Sequence, residues 1–147
     1  MKNASILIAE DNDLSRENLI ELLREEGYSV TAVQDGRRAM DTFIADRFDL
    51  VVTDLRMPHM DGLELLKFIR GMNQDTVVII VTGYGTINTA VEAMKLGAFD
   101  YVTKPIKDDL VKLTIARALS YARLKEENVL LRDRLKDKFD AGKMIGY

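Results

Sequence analysis

Glu10 with Asp11, Asp54, Thr82 with Gly83, and Lys104 before Pro105 each stand just after a short apolar run of the sequence. Three carboxylates, a hydroxyl and an amine at such positions suit phosphate chemistry assisted by a cation. Acids brought close together repel and raise one another's pKa unless a cation joins them. Oxygen-only ligands point to a hard cation, and Mg²⁺ suits a site with few carboxylates, retained waters and an incoming phosphate. A carboxylate can itself accept a phosphoryl group. Asp54 is the candidate acceptor, central between the acidic pair and Lys104. Thr82 can then hydrogen-bond a phosphoryl oxygen, and Lys104 supplies a compact positive charge.

These residues meet only if the runs lie side by side. The runs are Ser5–Ala9, Ser29–Val33, Leu50–Thr53, 77–81 and 101–103, and helical periodicities fill 14–26, 37–46, 63–70, 87–95 and 107 onward. β-Branched runs without alternation indicate strands buried on both faces, hence a parallel sheet with helices on each side. The predicted class is therefore α/β, a doubly wound five-stranded sheet. In such open sheets ligands bind beyond the carboxyl ends of the strands, where strand order reverses. Asn12 or Asp13 is placed to cap the first helix. Gly27, Gly71 and Gly97 each follow a helical pattern, where a left-handed C-terminal residue is expected.

The last helical pattern does not stop with the fifth unit. No Pro or Gly interrupts the chain from Lys107 to Lys138, too long a stretch for a covering helix of a small α/β domain. We place a domain at 1–120, a helical dimerisation linker at 121–138 and a flexible tail at 139–147. Tyr121, Leu124, Asn128, Leu131 and Leu135 follow spacings of 3, 4, 3 and 4, the a/d pattern of a coiled coil. Asn128 falls at an a position, where a polar residue sets register and favours two strands. The competing reading is an amphipathic helix packed on its own domain or on a further domain that follows it.

Composition narrows the function classes. The chain has 147 residues, is 47% hydrophobic and 31% charged, and carries no cysteine, so thiolate metal sites, disulfides and a cysteine nucleophile are excluded. A net charge of −3 argues against direct nucleic-acid binding. No stretch approaches the ~20 apolar residues of a membrane span, and the N-terminus is too short and acidic for a secretory signal.

Five segments taken together, ILIAEDND, VVTDLRMPHMDG, VVIIVTGYG, GAFDYVTKP and the apolar pattern between them, resemble a response-regulator receiver domain over roughly residues 4–122. The resemblance implies the CheY-like strand order 2-1-3-4-5. It implies that Asp54 is the phosphoacceptor and that Asp11, Asp54 and the Arg56 carbonyl hold Mg²⁺, with Glu10 reaching the metal through water. It makes Thr82 and Tyr101 a switch pair and Lys104 the phosphate-binding lysine, before a cis Pro105. The implied partner is a sensor histidine kinase docking against the first helix and adjacent loops, and the implied location is the cytoplasm. Glu10 departs from the commoner Asp, which alters metal geometry. More narrowly, VTGYGTINTAVEAMKLGAFDYVTKP and ENVLLRDRL resemble receivers and linkers of the nitrogen regulatory protein C group, sigma-54-dependent enhancer-binding activators of transcription. The final KMIGY resembles the start of their ATPase domain, making the chain the N-terminal part of a longer, homodimeric regulator.

Other classes fit less well. A haloacid-dehalogenase-like phosphatase also forms an aspartyl phosphate, but wants a second Asp where Arg56 stands. An FMN carrier on the same fold needs a hydroxyl- and Gly-rich phosphate loop after the first strand, where this chain has AEDND. A receiver that dimerises without phosphorylation remains a distinct regulatory reading. The lone His59 reads as a solvated loop residue, and the seven methionines as core and helix-face filler.

Overall fold

The structure, a computed structural model, describes residues 3–125 and Leu131. Five strands alternate with helices: β1 Ser5–Ala9, α1 Asp13–Glu25, β2 Ser29–Val33, α2 Gly36–Ala45, β3 Leu50–Thr53, α3 Gly62–Met72, β4 Val77–Thr82, α4 Ile87–Lys95 and β5 Asp100–Thr103. A fifth helix, α5, runs over 108–125, and Leu131 is also helical. All neighbouring strands are parallel, in the order β2-β1-β3-β4-β5. The order reverses between β1 and β3, so a crevice opens beyond their carboxyl ends.

Alternate residues of each strand feed two apolar layers, as the period of a strand requires. Ile6, Ile8, Leu50, Val52, Ile79 and Val81 meet Leu19 and Leu23 of α1 and Ile115 and Leu119 of α5. Leu7, Val51, Val78 and Ile80 face the opposite way, onto Ala39 and Phe43 of α2, Leu65, Leu66 and Ile69 of α3, and Ala93 of α4. Every residue of β3 and β4 is buried, whereas the edge strands β2 and β5 are only partly so. Burial on both faces thus holds in the middle of the sheet and fails at its margins, where SVTAV carries hydroxyls.

Helix starts are fixed by side-chain caps. Asn12 caps α1 and accepts from the Ser15 amide at 2.9 Å. Asp61 with Glu64, and Thr86 with Thr89, form reciprocal capping boxes on α3 and α4. Gly27 and Gly97 take the left-handed conformation expected of them, with φ of 90° and 101°. Gly71 does not: it lies inside α3, which runs on to Met72 and closes at Asn73, so no left-handed residue is needed there. Helix α5 keeps contact with the domain past Ser120. Ala122 packs against the first apolar layer, and the Tyr121 ring lies 5.5 Å from that of Phe99. Leu124 and Leu131 are exposed, and Asn128, Leu135 and the 139–147 tail lie outside the described residues.

Candidate functional site

The ladder of the sheet delivers the acids to one edge. The Glu10 amide donates to Val33 O at 3.1 Å, the Asp54 amide to Ala9 O at 2.9 Å, and the Lys104 amide to Thr82 O at 2.9 Å. Glu10 and Asp54 therefore leave their strands in register, and Lys104 leaves β5 two residues farther along. Glu10 and Asp54 are buried at 2% and 3% exposure, while Asp11 is exposed.

Lys104 reaches between the two buried acids. Its Nζ donates to Asp54 Oδ2 at 3.0 Å and to Glu10 Oε1 in a shorter contact. The other Asp54 oxygen accepts from the Leu55 amide at 2.6 Å and the Arg56 amide at 3.3 Å. Burial raises the Asp54 pKa, but hydrogen bonds from Lys104, Glu10 and Thr82 outweigh it and hold the carboxyl below its ordinary value. Glu10 goes the other way, pushed up to about 7 by burial, against relief from Lys104 and with added repulsion from Asp54. For Lys104, burial lowers the pKa, but the two carboxylates overcome it and raise it. At neutral pH the acceptor candidate is thus an anion held by one cation.

Glu10, Asp11 and Asp54 present carboxylate oxygens within 4.8 Å of one another, the one acidic cluster of this kind among the described residues. One lysine cannot neutralise three carboxylates, and the raised Glu10 pKa, due first to burial, carries a contribution from Asp54. An all-oxygen donor set with surplus negative charge fits a hard divalent cation. Beside it an open cavity of about 520 Å³ is lined by Asp11, Arg56, Met57, Pro58, Asp61 and Tyr84. The Arg56 guanidinium sits 4.9 Å from the centre of the Tyr84 ring, spanning the loops after β3 and β4. A second cleft, of about 340 Å³, opens at the far end of the sheet between Arg70, Phe99, Tyr121 and Lys125, away from the acids.

Thr82 is fully buried, and its hydroxyl accepts from the Tyr84 amide at 3.1 Å. Tyr101 is half-buried on β5, with its hydroxyl 3.0 Å from Thr89 Oγ1 rather than at Thr82. The Lys104–Pro105 peptide is cis. His59 is exposed with φ of 70° and belongs to no ligand cluster among the described residues.

Two glycines that sequence reasoning passed over shape this edge. A Cβ on Gly62 would collide with the Asp54 carbonyl, and the Gly62 amide donates to Leu55 O at 2.8 Å, so α3 starts flush against the acceptor's backbone. A Cβ on Gly85 would run into the Tyr101 ring 2.8 Å from its Cζ. The Asp-Gly and Gly-Tyr-Gly sequences mark turns, but which side chain each glycine makes room for is set by the fold.

The comparisons with known proteins agree with this fold. The profile of the response regulator receiver domain matches residues 6–116. The transcriptional regulatory protein ZraR of Klebsiella oxytoca is 41% identical over 124 residues, 84% of this chain and 28% of the relative. The regulatory protein AtoC of Escherichia coli K12 is 37% identical over 140 residues, 95% of this chain and 30% of the relative. The chain thus spans under a third of the length of these relatives. Among solved structures, NtrX from Brucella abortus superposes with a TM-score of 0.84 at 32% identity, over 90% of this chain and 30% of that one. Matched by the family profile along most of its described length, and akin to transcriptional regulators of the group its sequence resembles, the chain belongs to the response regulator receiver domains.

Proposed function

We propose that Asp54 is the phosphoacceptor of a two-component receiver, phosphorylated by a sensor histidine kinase. The phosphohistidine N–P bond breaks, a P–O bond forms on the Asp54 carboxylate, and the leaving imidazole takes up a proton. The observation that carries this reading is the Asp54 carboxylate itself: ionised, buried at a strand end, and gripped by Lys104 on one oxygen and two backbone amides on the other. Lys104 stays charged and keeps its ammonium where phosphoryl oxygens would gather negative charge. Glu10, Asp11, Asp54 and the Arg56 carbonyl are the residues that would hold Mg²⁺, which when bound neutralises phosphoryl oxygens during in-line transfer.

Receivers of this family are regulatory domains rather than classical enzymes. The chemistry here serves a switch: Thr82 and Tyr101 respond to the acyl phosphate, the α4–β5–α5 face changes packing, and slow hydrolysis resets it. Residues 1–120 carry the switch and 121–138 pair two chains, with transcription activation by a domain beyond 147 as the output. Exposed Leu124 and Leu131, seven residues apart, support that pairing. No helix among the described residues is long and apolar enough to cross a membrane.

Acetyl phosphate with Mg²⁺ tests the acceptor. Intact-mass measurement is expected to show one phosphate adduct on the wild type and none on Asp54→Asn, whose amide is a poor nucleophile. Equal adducts on both would overturn the assignment.

A further inference from the structure

Tyr101 is tied to α4 through an unusual helix cap. Thr89 is the third residue of α4, and its side chain closes the capping box with Thr86. Its Oγ1 accepts from the Thr86 amide at 2.8 Å and donates to the Thr86 carbonyl at 2.9 Å, while its own amide donates to Thr86 Oγ1 at 3.1 Å. A hydroxyl has one proton and two lone pairs. With the proton on the Thr86 carbonyl, Thr89 Oγ1 accepts from the Tyr101 hydroxyl at 3.0 Å, its lone pairs shared with the Thr86 amide and with Thr86 Oγ1 at 3.2 Å. A Glu or Gln, usual at this position of a capping box, would place its polar end elsewhere. The threonine makes one oxygen serve both the helix start and the tyrosine.

The loop before α4 is moulded to the same hydroxyl. Gly85 is not among the described glycines of positive φ, so it is there for space rather than conformation. Any Cβ would occupy the position of the Tyr101 hydroxyl. One residue earlier the Tyr84 amide is held by Thr82 Oγ1. The path from the crevice to α4 is therefore short: the Thr82 hydroxyl, the Tyr84–Gly85 backbone, the Tyr101 hydroxyl, then the cap. Helix α4 begins with Ile87, 84% exposed, and carries Val91 and Met94 on its exposed surface, so tilting its first turn moves an apolar surface.

We propose that Thr89 is a positioning residue that locks α4 in its resting pose by holding the Tyr101 hydroxyl. Resting on the phosphoacceptor reading above, this assigns the relay: Thr82 turning toward a phosphoryl oxygen frees the Tyr84 amide, Gly85 shifts, Tyr101 leaves Thr89, and the first turn of α4 loosens. A run of contacts is not by itself coupling, so the test measures coupling.

Amide hydrogen exchange on the 147-residue chain, first without phosphodonor, provides it. Tyr101→Phe removes one oxygen and is expected to speed exchange at Thr89 and Ala90 by about three- to tenfold, the worth of one neutral hydrogen bond. Amides of α1 and α3 should not change. In a Thr89→Val background, which already lacks the acceptor, Tyr101→Phe should add nothing. A Tyr101→Phe effect at these amides below about twofold, or one that persists in full beside Thr89→Val, overturns the proposal. Acetyl phosphate with Mg²⁺ is then added and the mass adduct recorded alongside. Phosphorylated wild type is expected to match unphosphorylated Tyr101→Phe at Thr89 and Ala90. An adduct without change there overturns the relay. A chain that takes no adduct overturns the phosphoacceptor reading and the relay with it, while the mutant cycle still decides the Tyr101–Thr89 lock.

Discussion

Glu10 carries the electrostatic tension of the site. One methylene longer than aspartate, it reaches Lys104 from a buried position, yet its carboxyl stays near pKa 7 because burial outweighs that contact and Asp54 repels it. The proton is therefore held more tightly in the folded chain than in the unfolded one, where the ordinary value is 4.5. Metal-free stability is expected to fall as pH rises from about 4.5 to about 7 and to level off above. Cation binding must displace that proton, so Mg²⁺ affinity is expected to climb toward pH 7 and then flatten. Glu10→Gln removes the buried charge but keeps an acceptor for Lys104. Without metal at pH 8 it should gain on the order of 2 kcal/mol in denaturant unfolding while losing Mg²⁺ affinity. Loss of stability in that variant would show that Lys104 already compensates Glu10 fully. The residue types here were legible from the sequence because acids, threonine and lysine each follow an apolar run. The pairing of Glu10 with Lys104, and of Tyr101 with Thr89, was not. Such contacts depend on rotamers across elements far apart in the chain and leave no periodic trace.

At the scale of elements, β1, β2 and β3 have the limits read from the apolar runs, β4 gains Thr82, and β5 begins at Asp100. Continuous β-branched runs fix strands well because no competing period is present. Glycines were read less well, since a glycine after a helical pattern can end the helix or merely sit in its last turn. Gly97 ends α4 with φ of 101°, and a Cβ there would stand 3.2 Å from Arg70 Nε. Gly71 lies in the last turn of α3 with nothing within 4 Å of a would-be Cβ. The two alanine variants should thus differ in sign. Gly71→Ala is expected to stabilise by about 0.5–1 kcal/mol, and Gly97→Ala to destabilise by more than about 1 kcal/mol, in chemical denaturation. The same sign for both would mean that backbone conformation does not govern these positions.

At the scale of the whole molecule, two leucines at the C-terminal end of the described residues are left uncovered. Leu124 is 64% exposed and Leu131 56%. Burying such leucines in a dimer contributes roughly 1.5–3 kcal/mol each, against an association cost of about 4–15 kcal/mol. The linker alone is marginal, so the dimer is expected to be weak and strengthened by receiver contacts. Leu131→Glu should leave unfolding of the chain within about 0.5 kcal/mol, because an exposed position contributes little to the fold. It should also raise the dimer dissociation constant at least about tenfold in light scattering, the cost of one lost leucine contact. A dimer indifferent to Leu131→Glu would place the interface on the receiver. The domain limit near Ser120 followed from helix length alone. The Tyr121–Phe99 contact and the packing of Ala122 lay beyond reach of a pattern that records spacing but not the neighbour across the groove.

The proposed function rests on a covalent bond at one oxygen atom of Asp54, and that bond can be trapped. Borohydride reduces an acyl phosphate to an alcohol, so an aspartyl phosphate becomes homoserine at the modified position. The chain is treated with acetyl phosphate and Mg²⁺, reduced, digested and sequenced by mass spectrometry. The account predicts homoserine at position 54 alone, dependent on both phosphodonor and Mg²⁺. Homoserine at position 11 or 5-hydroxynorvaline at position 10 with Asp54 intact, or no reduced residue at all under conditions that give a mass adduct, would contradict it.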